Sequence, residues 1–351
     1  MMSNFPQILA EIVAKIQIEP NFTVAHPDYP PLELRADILD RLQRISPQLQ
    51  SKYLILQVQN YLHDIYFNQS WLDLQTIATA AAQPAQIKNN LSDGVDIDFC
   101  QRLHQSNSSR GYLDLGWKVV ATAPAGELVV VKDGLHLHIN PQRHLRSDSR
   151  SAQIGEIVPI YLPHSLVSRD TYIIVGNLGT PANATPALPS VQIYFNFTPD
   201  AAVTIAEKLT RQLNTLELPF QFAILHDPAL FYRCDGATLW ISQADYLTAQ
   251  TVVAEIYRAH QTAFAADVPL FTKQLAPGLG LAEVPTTLST FGMQRCEILA
   301  MGLVTAFDLD LTAVNDKLDK IYEQFAAVGI DRFQPHLNFA ALDCYKIDEF
   351  E

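Results

Sequence analysis

The chain has 351 residues, of which 48% are hydrophobic and 17% are charged, a balance typical of a folded globular protein and not of a disordered one. Its 24 Lys and Arg residues against 37 Asp and Glu residues give a formal net charge of −13. A field of that sign repels phosphate backbones and anionic lipid surfaces, so the composition argues against nucleic-acid and membrane partners.

The chain has no uninterrupted apolar stretch close to the ~20 residues that a bilayer span needs. Its first 20 residues lack the basic start and the apolar core of a signal peptide. The four cysteines, Cys100, Cys234, Cys296 and Cys344, lie far apart and show no paired spacing typical of a zinc or redox site. We therefore expect a cytoplasmic protein with reduced thiols and without a metal or other cofactor.

Residues 1–110 are predicted to form a helical N-terminal region. Apolar residues recur at helical spacing in three runs, 5–18, 34–45 and 48–67, and less regularly in 94–104. Turn-rich pieces separate these runs, and the sequence contains no internal repeat.

The pattern changes from helical to strand-like near residue 108. Runs rich in β-branched and aromatic residues predict strands at 111–122, 127–139, 157–162 and 172–175. The stretch 180–190 then has three prolines and no charge, which predicts an internal linker or a surface loop.

Strands and helices alternate between residues 191 and 260. A strand at 191–197 is followed by Thr198 as a helix N-cap and Pro199 as the first helical residue. Further strands are predicted at 219–225 and 238–241, and Ser242 is predicted to cap the next helix. The alternation predicts an α/β or α+β sheet domain and leaves parallel and antiparallel pairing open.

The segment 269–285 has only two charged residues among its 17. It contains too much Gly and Pro for a helix and is too apolar for an exposed loop, so we interpret it as an irregular segment that is buried or lines a groove. Helices are predicted after it, one with Arg295 near its start and one at 311–327. Overall, we expect an α+β fold in which the helical region 1–110 precedes a mixed or antiparallel sheet domain with packed helices, residues 111–351.

Two histidines in the 127–139 run, His136 and His138, are predicted to point to the same face of a strand, because side chains alternate with a period of two. Two imidazoles on one face could bind zinc, but no neighbouring Cys or carboxylate motif completes a ligand set. The alternatives are a polar strand face in solvent and a phosphate or substrate contact, to which Lys132 would also contribute.

Two further groups of basic residues have alternative interpretations. Arg143 opens a small basic cluster that is either a solvated loop or an anion-binding edge. Arg233 and Asp235 either form a local contact within a turn, or Arg233 points at a phosphate of a ligand. The sequence contains none of the motifs of nucleotide-binding loops, serine hydrolases or zincins.

Most of residues 111–305 resembles the HopA-type family of type III secretion effectors, whose relatives also occur widely in non-pathogenic bacteria. The segments that carry the resemblance are GYLDLGWKVV (111–120), VVVKDGLHLHI (129–139) with RHL (143–145), YIIVGNLG (172–179), VQIYFNFTPDAAVTIAEKLTRQLN (191–214), LPFQFAILHDPALFYRCDGATLWI (218–241), PLFTKQLAPGLGLAEVP (269–285) and FGMQRCEILAMGL (291–303).

The resemblance implies a fold distantly similar to that of bacterial phosphothreonine lyases. Some members of the family occur in lanthipeptide and thioamide-peptide biosynthesis, where they are thought to remove phosphate from phospho-Ser/Thr by β-elimination. That reaction needs a base for the α-proton, an acid near the leaving phosphate, and arginines that hold the dianion. The resemblance therefore implies a peptide or protein, phosphorylated or not, as substrate or partner.

Position by position, the resemblance implies an acid-side role for Tyr194, a phosphate-binding role for Arg233, and basic motif positions for Lys273 and Arg295. We assign Tyr194 and Lys273 to catalysis. The residues that we assign to substrate or phosphate binding are Arg233, Arg295, Lys132, His138 and Arg143.

Three positions depart from the pattern of the family. Ala223 stands where the base lysine is expected, Gln192 where a basic residue is expected, and Tyr161 where an arginine is expected. Alanine cannot take a proton, and neither glutamine nor tyrosine neutralises a phosphate as arginine does. Two hypotheses remain. The first is a phospho-Ser/Thr lyase in which Lys132 or a histidine of the same strand, such as His138, substitutes for the base. The second is a non-catalytic member that binds a peptide or protein, which Ala223 and Gln192 favour.

Overall fold

The computed structural model describes residues 5–72, 91–92, 95–181, 189–287 and 289–350. Helices and sheets succeed one another along this part of the chain, which confirms the predicted α+β class. Every strand pair registered within these ranges is antiparallel. The predicted linker at 180–190 lies largely outside the described residues.

The helices within the described ranges are shorter than a bilayer span or interrupted by charge, and none could cross a membrane. The last turn of the third helix continues into a π-helical turn, His63–Phe67. The helices are α1 (Phe5–Lys15), α2 (Ala36–Leu42), α3 (Pro47–Leu62), α4 (Ile97–Ser106), α5 (Pro141–His144), α6 (Pro199–Thr215), α7 (Tyr246–His260), α8 (Phe291–Asp308) and α9 (Val314–Ala327).

The strands form one seven-stranded sheet, one four-stranded sheet and two short ladders. They are β1 (Gln17–Ile18), β2 (Val24–Ala25), β3 (Leu91–Ser92), β4 (Val95–Asp96), β5 (Tyr112–Thr122), β6 (Leu128–Lys132), β7 (Leu135–Ile139), β8 (Ile157–Leu162), β9 (Ser165–Val167), β10 (Thr171–Val175), β11 (Ser190–Phe195), β12 (Phe220–Leu225), β13 (Ala237–Ser242), β14 (Lys273–Ala276) and β15 (Leu279–Glu283). The larger sheet has the order β14-β15-β11-β13-β12-β10-β9, and the smaller has the order β7-β6-β5-β8.

The predicted helix starts are correct at α6 and wrong at α7. Thr198 holds the N-cap position of α6 and Pro199 is its first residue. Ser242 ends strand β13 instead of capping α7, and Asp245 occupies the N-cap position. The hydroxyl of Ser242 donates to Asp245 Oδ2 at 2.6 Å, so it closes the turn between strand and helix.

The prediction of an irregular segment at 269–285 is wrong. Most of this segment forms the hairpin of β14 and β15 at the edge of the larger sheet. Its predicted burial is correct, because every residue of β15 is buried. A strand that is covered on both faces has no alternation of polar and apolar residues, so the strand period is absent from this stretch.

The two faces of the larger sheet differ in composition. On one, which we call the apolar face, the strands pack against α4, α6 and α7 through a large cluster of buried apolar residues that includes Ile193, Leu239 and Phe222. The other, which we call the polar face, carries Tyr194. Near β11 and β15 it is covered by a second apolar cluster built from α1, α3, α8 and α9. Helices from both sides of residue 110 therefore share one core, while the division of the chain at that residue stays a prediction.

Residues 331–350, which we call the C-terminal segment, pack against the β14–β15 edge of the sheet. Tyr345 donates its hydroxyl to Glu283 Oε1 at 2.8 Å, and its ring lies edge-on to Tyr246 of α7. The carbonyl of Lys346 accepts a hydrogen bond from the buried Gln250 at 2.7 Å. These contacts bind the segment to α7 as well as to the sheet.

The stability of this packing is expected to depend on the protonation of His336. Burial lowers the pKa of His336 from 6.5 to about 4, although nearby Asp343 opposes that shift. Because the folded pKa lies below the unfolded value, the unfolded chain takes up the proton first as the pH falls. We expect the free energy of unfolding to decrease through this group between pH 6.5 and about 4, by roughly 3 kcal/mol in total.

Urea unfolding at a series of pH values measures this dependence. The His336→Asn variant should have a shallower slope in that window than the wild type, whereas His136→Asn, at an exposed position of β7, should keep the wild-type slope. An equal slope in the wild type and His336→Asn would contradict the assignment to His336.

Candidate functional site

The polar face of the larger sheet brings together three of the positions that the family resemblance singled out, namely Tyr194, Gln192 and Ala223. Directly paired residues of antiparallel strands point to the same side of a sheet. Two rows of paired residues therefore lie side by side on this face: Tyr194, Thr238 and Ala223, and Gln192, Trp240 and Gln221.

Tyr194 is enclosed between the sheet and the helices. Only 6% of it is exposed, and its hydroxyl donates to Gln192 Oε1 at 2.5 Å. The ring meets Phe67 edge-on, with 5.7 Å between the ring centroids. Burial raises the pKa of Tyr194 well above its ordinary value, so the phenol keeps its proton and donates it in the hydrogen bond to Gln192.

Ala223 lies on the same face as Tyr194, two strands away, which places their Cα atoms about 10 Å apart at the normal strand spacing. Ala223 is buried and stands outside the apolar clusters of the protein. Its methyl group offers no proton acceptor. Among the described strand residues that share this face by register, none is a Lys, Arg, His, Asp or Glu.

Arg233 forms the local turn contact. Its Nε and Nη2 donate to the two carboxylate oxygens of Asp235, each at 2.8 Å. Burial on its own would lower the pKa of Arg233, but the hydrogen bond and charge of Asp235, together with Asp170, raise it overall. The fork of the guanidinium is thus already occupied by a carboxylate in the geometry that a phosphate would require.

Arg295 is fully buried, at 0% exposure, and binds the C-terminal segment. Its Nε donates to the carbonyl of Pro335 at 2.7 Å and its Nη2 to that of Leu337 at 2.8 Å. A further hydrogen bond goes to Gln294 Oε1. Burial lowers the pKa of Arg295 to about 10, against the raising influence of Glu283 and Tyr194. Each of its three nitrogens therefore donates at least one hydrogen bond to the protein itself.

Lys273 lies on the opposite side of the sheet from Tyr194. It pairs with Leu281, the neighbour of Gly280, and Gly280 is the residue that pairs with Tyr194. Its Nζ donates to both carboxylate oxygens of Asp343, at 2.8 and 2.7 Å, and to the carbonyl of Tyr345. The two residues that we assigned to catalysis are therefore not brought together.

The remaining assigned residues lie in the smaller sheet or in the short helix that follows β7. Lys132 Nζ donates to the two carboxylate oxygens of Asp114, at 2.9 and 2.8 Å, and Asp114 also accepts from Trp117 Nε1 at 2.7 Å. His138 is exposed on β7, and Arg143 is exposed on α5. None of the three lies in the larger sheet with Tyr194.

A cleft of about 450 Å³ in the smaller sheet was not predicted. Its lining comes from β5, β7, β8, β9 and α5, that is, from segments too far apart in the sequence to show a common pattern. The lining residues are Tyr112, Trp117, Leu135, Leu137, His138, Ile139, His144, Tyr161, Leu162, Pro163 and Leu166. Of the assigned residues, only His138 is among them. Nowhere in the described ranges do three His, Cys, Asp or Glu residues meet in a group that could hold a metal ion.

One comparison with known proteins, a match to a family profile, shows the family of this chain. Residues 162–337, half of the chain, match the sequence profile of the HopA1 effector protein family. A solved effector protein from Pseudomonas syringae pv. tomato strain DC3000 is 17% identical, with a TM-score of 0.40 over 76% of this chain and 90% of that one. A second, from Pseudomonas syringae pv. syringae strain 61, is 12% identical, with a TM-score of 0.42 over 84% and 100%. Curated protein sequences give no match. The chain belongs to the HopA1 effector protein family.

Proposed function

We propose that this family member binds a peptide or protein without eliminating phosphate from it. The observation that carries the proposal is the polar face of the larger sheet. There, Ala223 occupies the position expected of the base, and Tyr194 is buried with its hydroxyl hydrogen-bonded to Gln192. A base must come within hydrogen-bonding reach of the proton that it removes. No described strand residue on that face can do so.

Two lysines that could replace the missing base lie away from the polar face, and each already forms an ion pair. Lys273 is on the far side of the sheet in contact with Asp343, and Lys132 is in the other sheet in contact with Asp114. A phosphate dianion would also have to displace Asp235 from Arg233. Elimination depends on hydrogen-bond donors that are positioned in advance around the leaving group. In this protein the donors of Arg233, Lys273 and Lys132 bind carboxylates of the protein instead.

A binding role is supported from two sides. Membership of an effector family favours a protein or peptide target. The smaller sheet offers a cleft with a predominantly apolar lining and two histidines, the usual composition of a binding site. A precursor peptide of modified-peptide biosynthesis, which the resemblance implies, would enter such a site as a bound chain.

The proposal predicts that the wild-type protein leaves phosphopeptides intact. The full chain is incubated with a library of phosphothreonine and phosphoserine peptides, and mass spectrometry monitors the loss of phosphoric acid. Two variants accompany it: Ala223→Lys, which restores an amine at the expected base position, and Ala223→Met, which adds similar length without one. We expect no elimination by the wild type or by Ala223→Met.

Elimination by the wild type would contradict the proposal directly. Elimination by Ala223→Lys alone would mean that the fold retains a phosphate site and lacks only the base, which is consistent with binding without catalysis. The binding half is tested separately by selection from a displayed peptide library, and failure to enrich any sequence would refute it.

A further inference from the structure

Strand β7 has an unpaired edge at the margin of the smaller sheet. In the order β7-β6-β5-β8 it pairs only with β6, from Leu135 opposite Lys132 to Ile139 opposite Leu128. Within the described part of the chain no other strand pairs with it. Such an edge presents backbone N–H and C=O groups that can accept an added strand.

The cleft opens directly beside this edge. Leu135, Leu137 and Ile139 of β7 line it, and so does Tyr161 of β8, the strand at the other margin of the same sheet. The sheet is therefore curled until both of its margins border one cleft. Leu135 is 56% exposed, Tyr161 44% and Leu166 52%, so the rim is apolar and open. Grouped exposed apolar side chains mark binding surfaces.

The chain next to β7 is positively charged in an otherwise acidic protein. Between residues 133 and 150 there are three Arg residues against two Asp residues, whereas the whole chain has a net charge of −13. Lys132 is neutralised by Asp114. Arg143 and Arg146 are exposed, and neither takes part in an ion pair among the described residues. Arg143 follows Ile139, the last residue of β7, by four positions and Arg146 follows it by seven, so both lie near the C-terminal end of that strand.

We propose, building on the binding role above, that the partner is an extended acidic peptide segment that adds to β7 as a fifth strand. One of its apolar side chains fills the cleft, and an anionic side chain, carboxylate or phosphate, lies against Arg143 and Arg146. Backbone pairing supplies affinity, and the cleft and the arginines supply the choice of sequence. The negative charge of the rest of the molecule disfavours the binding of acidic peptides at other surfaces.

The test uses the full chain and three fluorescent peptides of alternating composition. One alternates leucine with glutamate, the second has a central phosphoserine, and the third replaces each glutamate by lysine. Fluorescence anisotropy measures binding, and hydrogen exchange followed by mass spectrometry measures the protection of the β7 amides. We expect the two acidic peptides to bind, the lysine peptide to bind at least about tenfold more weakly, and the β7 amides to exchange more slowly in the complex.

Charge reversal locates the anion contact. The double variant Arg143→Glu/Arg146→Glu should weaken the acidic peptides by about tenfold or more. Arg102→Glu/Arg211→Glu changes the net charge equally at exposed positions of α4 and α6, and it should leave their binding unchanged. Tighter binding of the phosphoserine peptide would identify phosphate as the preferred anion, and equal binding would identify the carboxylate; both agree with the inference.

Different results would refute the strand-addition site and the binding role. Peptides that are enriched from the displayed library but bind equally to both double variants, without protection of β7, would overturn the strand-addition site and leave the binding role standing. Failure of the library and of all three probe peptides would refute the binding role, and the inference with it.

Discussion

Replacement of Arg295 by methionine is expected to reduce the free energy of unfolding by roughly 3 kcal/mol. Methionine can fill much of the space, but it leaves the carbonyls of Pro335 and Leu337 without their donors in the interior. Hydrogen bonds to a charged donor are among the strongest in proteins, and a buried acceptor without a partner is costly. The relief of burying one fewer charge offsets part of that loss. The midpoint of urea unfolding measures the outcome.

The matched control is Arg102→Met. Arg102 is exposed and pairs with Asp200 in solvent, so its loss should change the free energy of unfolding by less than about 1 kcal/mol. If the two variants unfold at the same urea concentration, Arg295 does not hold the C-terminal segment in place. A wild-type midpoint for Arg295→Met would also reopen the question of whether Arg295 serves a ligand.

Gly302→Val should be comparably destabilising, at roughly 3 kcal/mol. Gly302 lies on α8 where α9 crosses it, and a Cβ added there would sit 2.5 Å from the Cα of Ile321 and 2.8 Å from its backbone N. Backbone atoms cannot rotate out of the way, so the two helices would have to move apart and disturb the cluster that also covers Tyr194. Thermal unfolding compares the variant with the wild type.

Met301→Val is the control for the intrinsic preference of a β-branched residue. It changes the adjacent position on the same helix, where the side chain is 37% exposed. Its expected effect is only about 0.5 kcal/mol, from helix propensity. Equal melting temperatures for Gly302→Val and Met301→Val would show that the helices accommodate a side chain at the crossing.

The helices and strands that could be predicted from the sequence are those with one buried and one exposed side, because only these alternate between apolar and polar residues at a regular period. The helix α6 carries its apolar residues on one side, and its start is marked by Thr198 and Pro199, so both its extent and its boundary were accessible. The hairpin β14–β15 was missed because β15 is buried on both faces and β14 has only four residues. For a segment of that kind, only the sheet around it decides its structure.

Some features of the candidate site could also be predicted from the sequence, and others could not. Strand periodicity is enough to place Tyr194 and Gln192 on one face, and the local pair of Arg233 with Asp235 was foreseen as one of two alternatives. The partner of Lys273 could not be predicted, because Asp343 is 70 residues away in the sequence. The cleft was missed for the same reason, since it exists only where distant strands curl toward each other.

The shared core of the first and last helices has a consequence for the synthesis of the protein. Gln59 of α3 donates to the carbonyl of Met293, 234 residues further along the chain. At about 5–20 residues per second, a ribosome exposes the apolar sides of α1 and α3 for on the order of ten to fifty seconds before α8 emerges. The helices made first are therefore among the last to find their partners, and in that interval they depend on chaperones or on transient contacts to avoid aggregation.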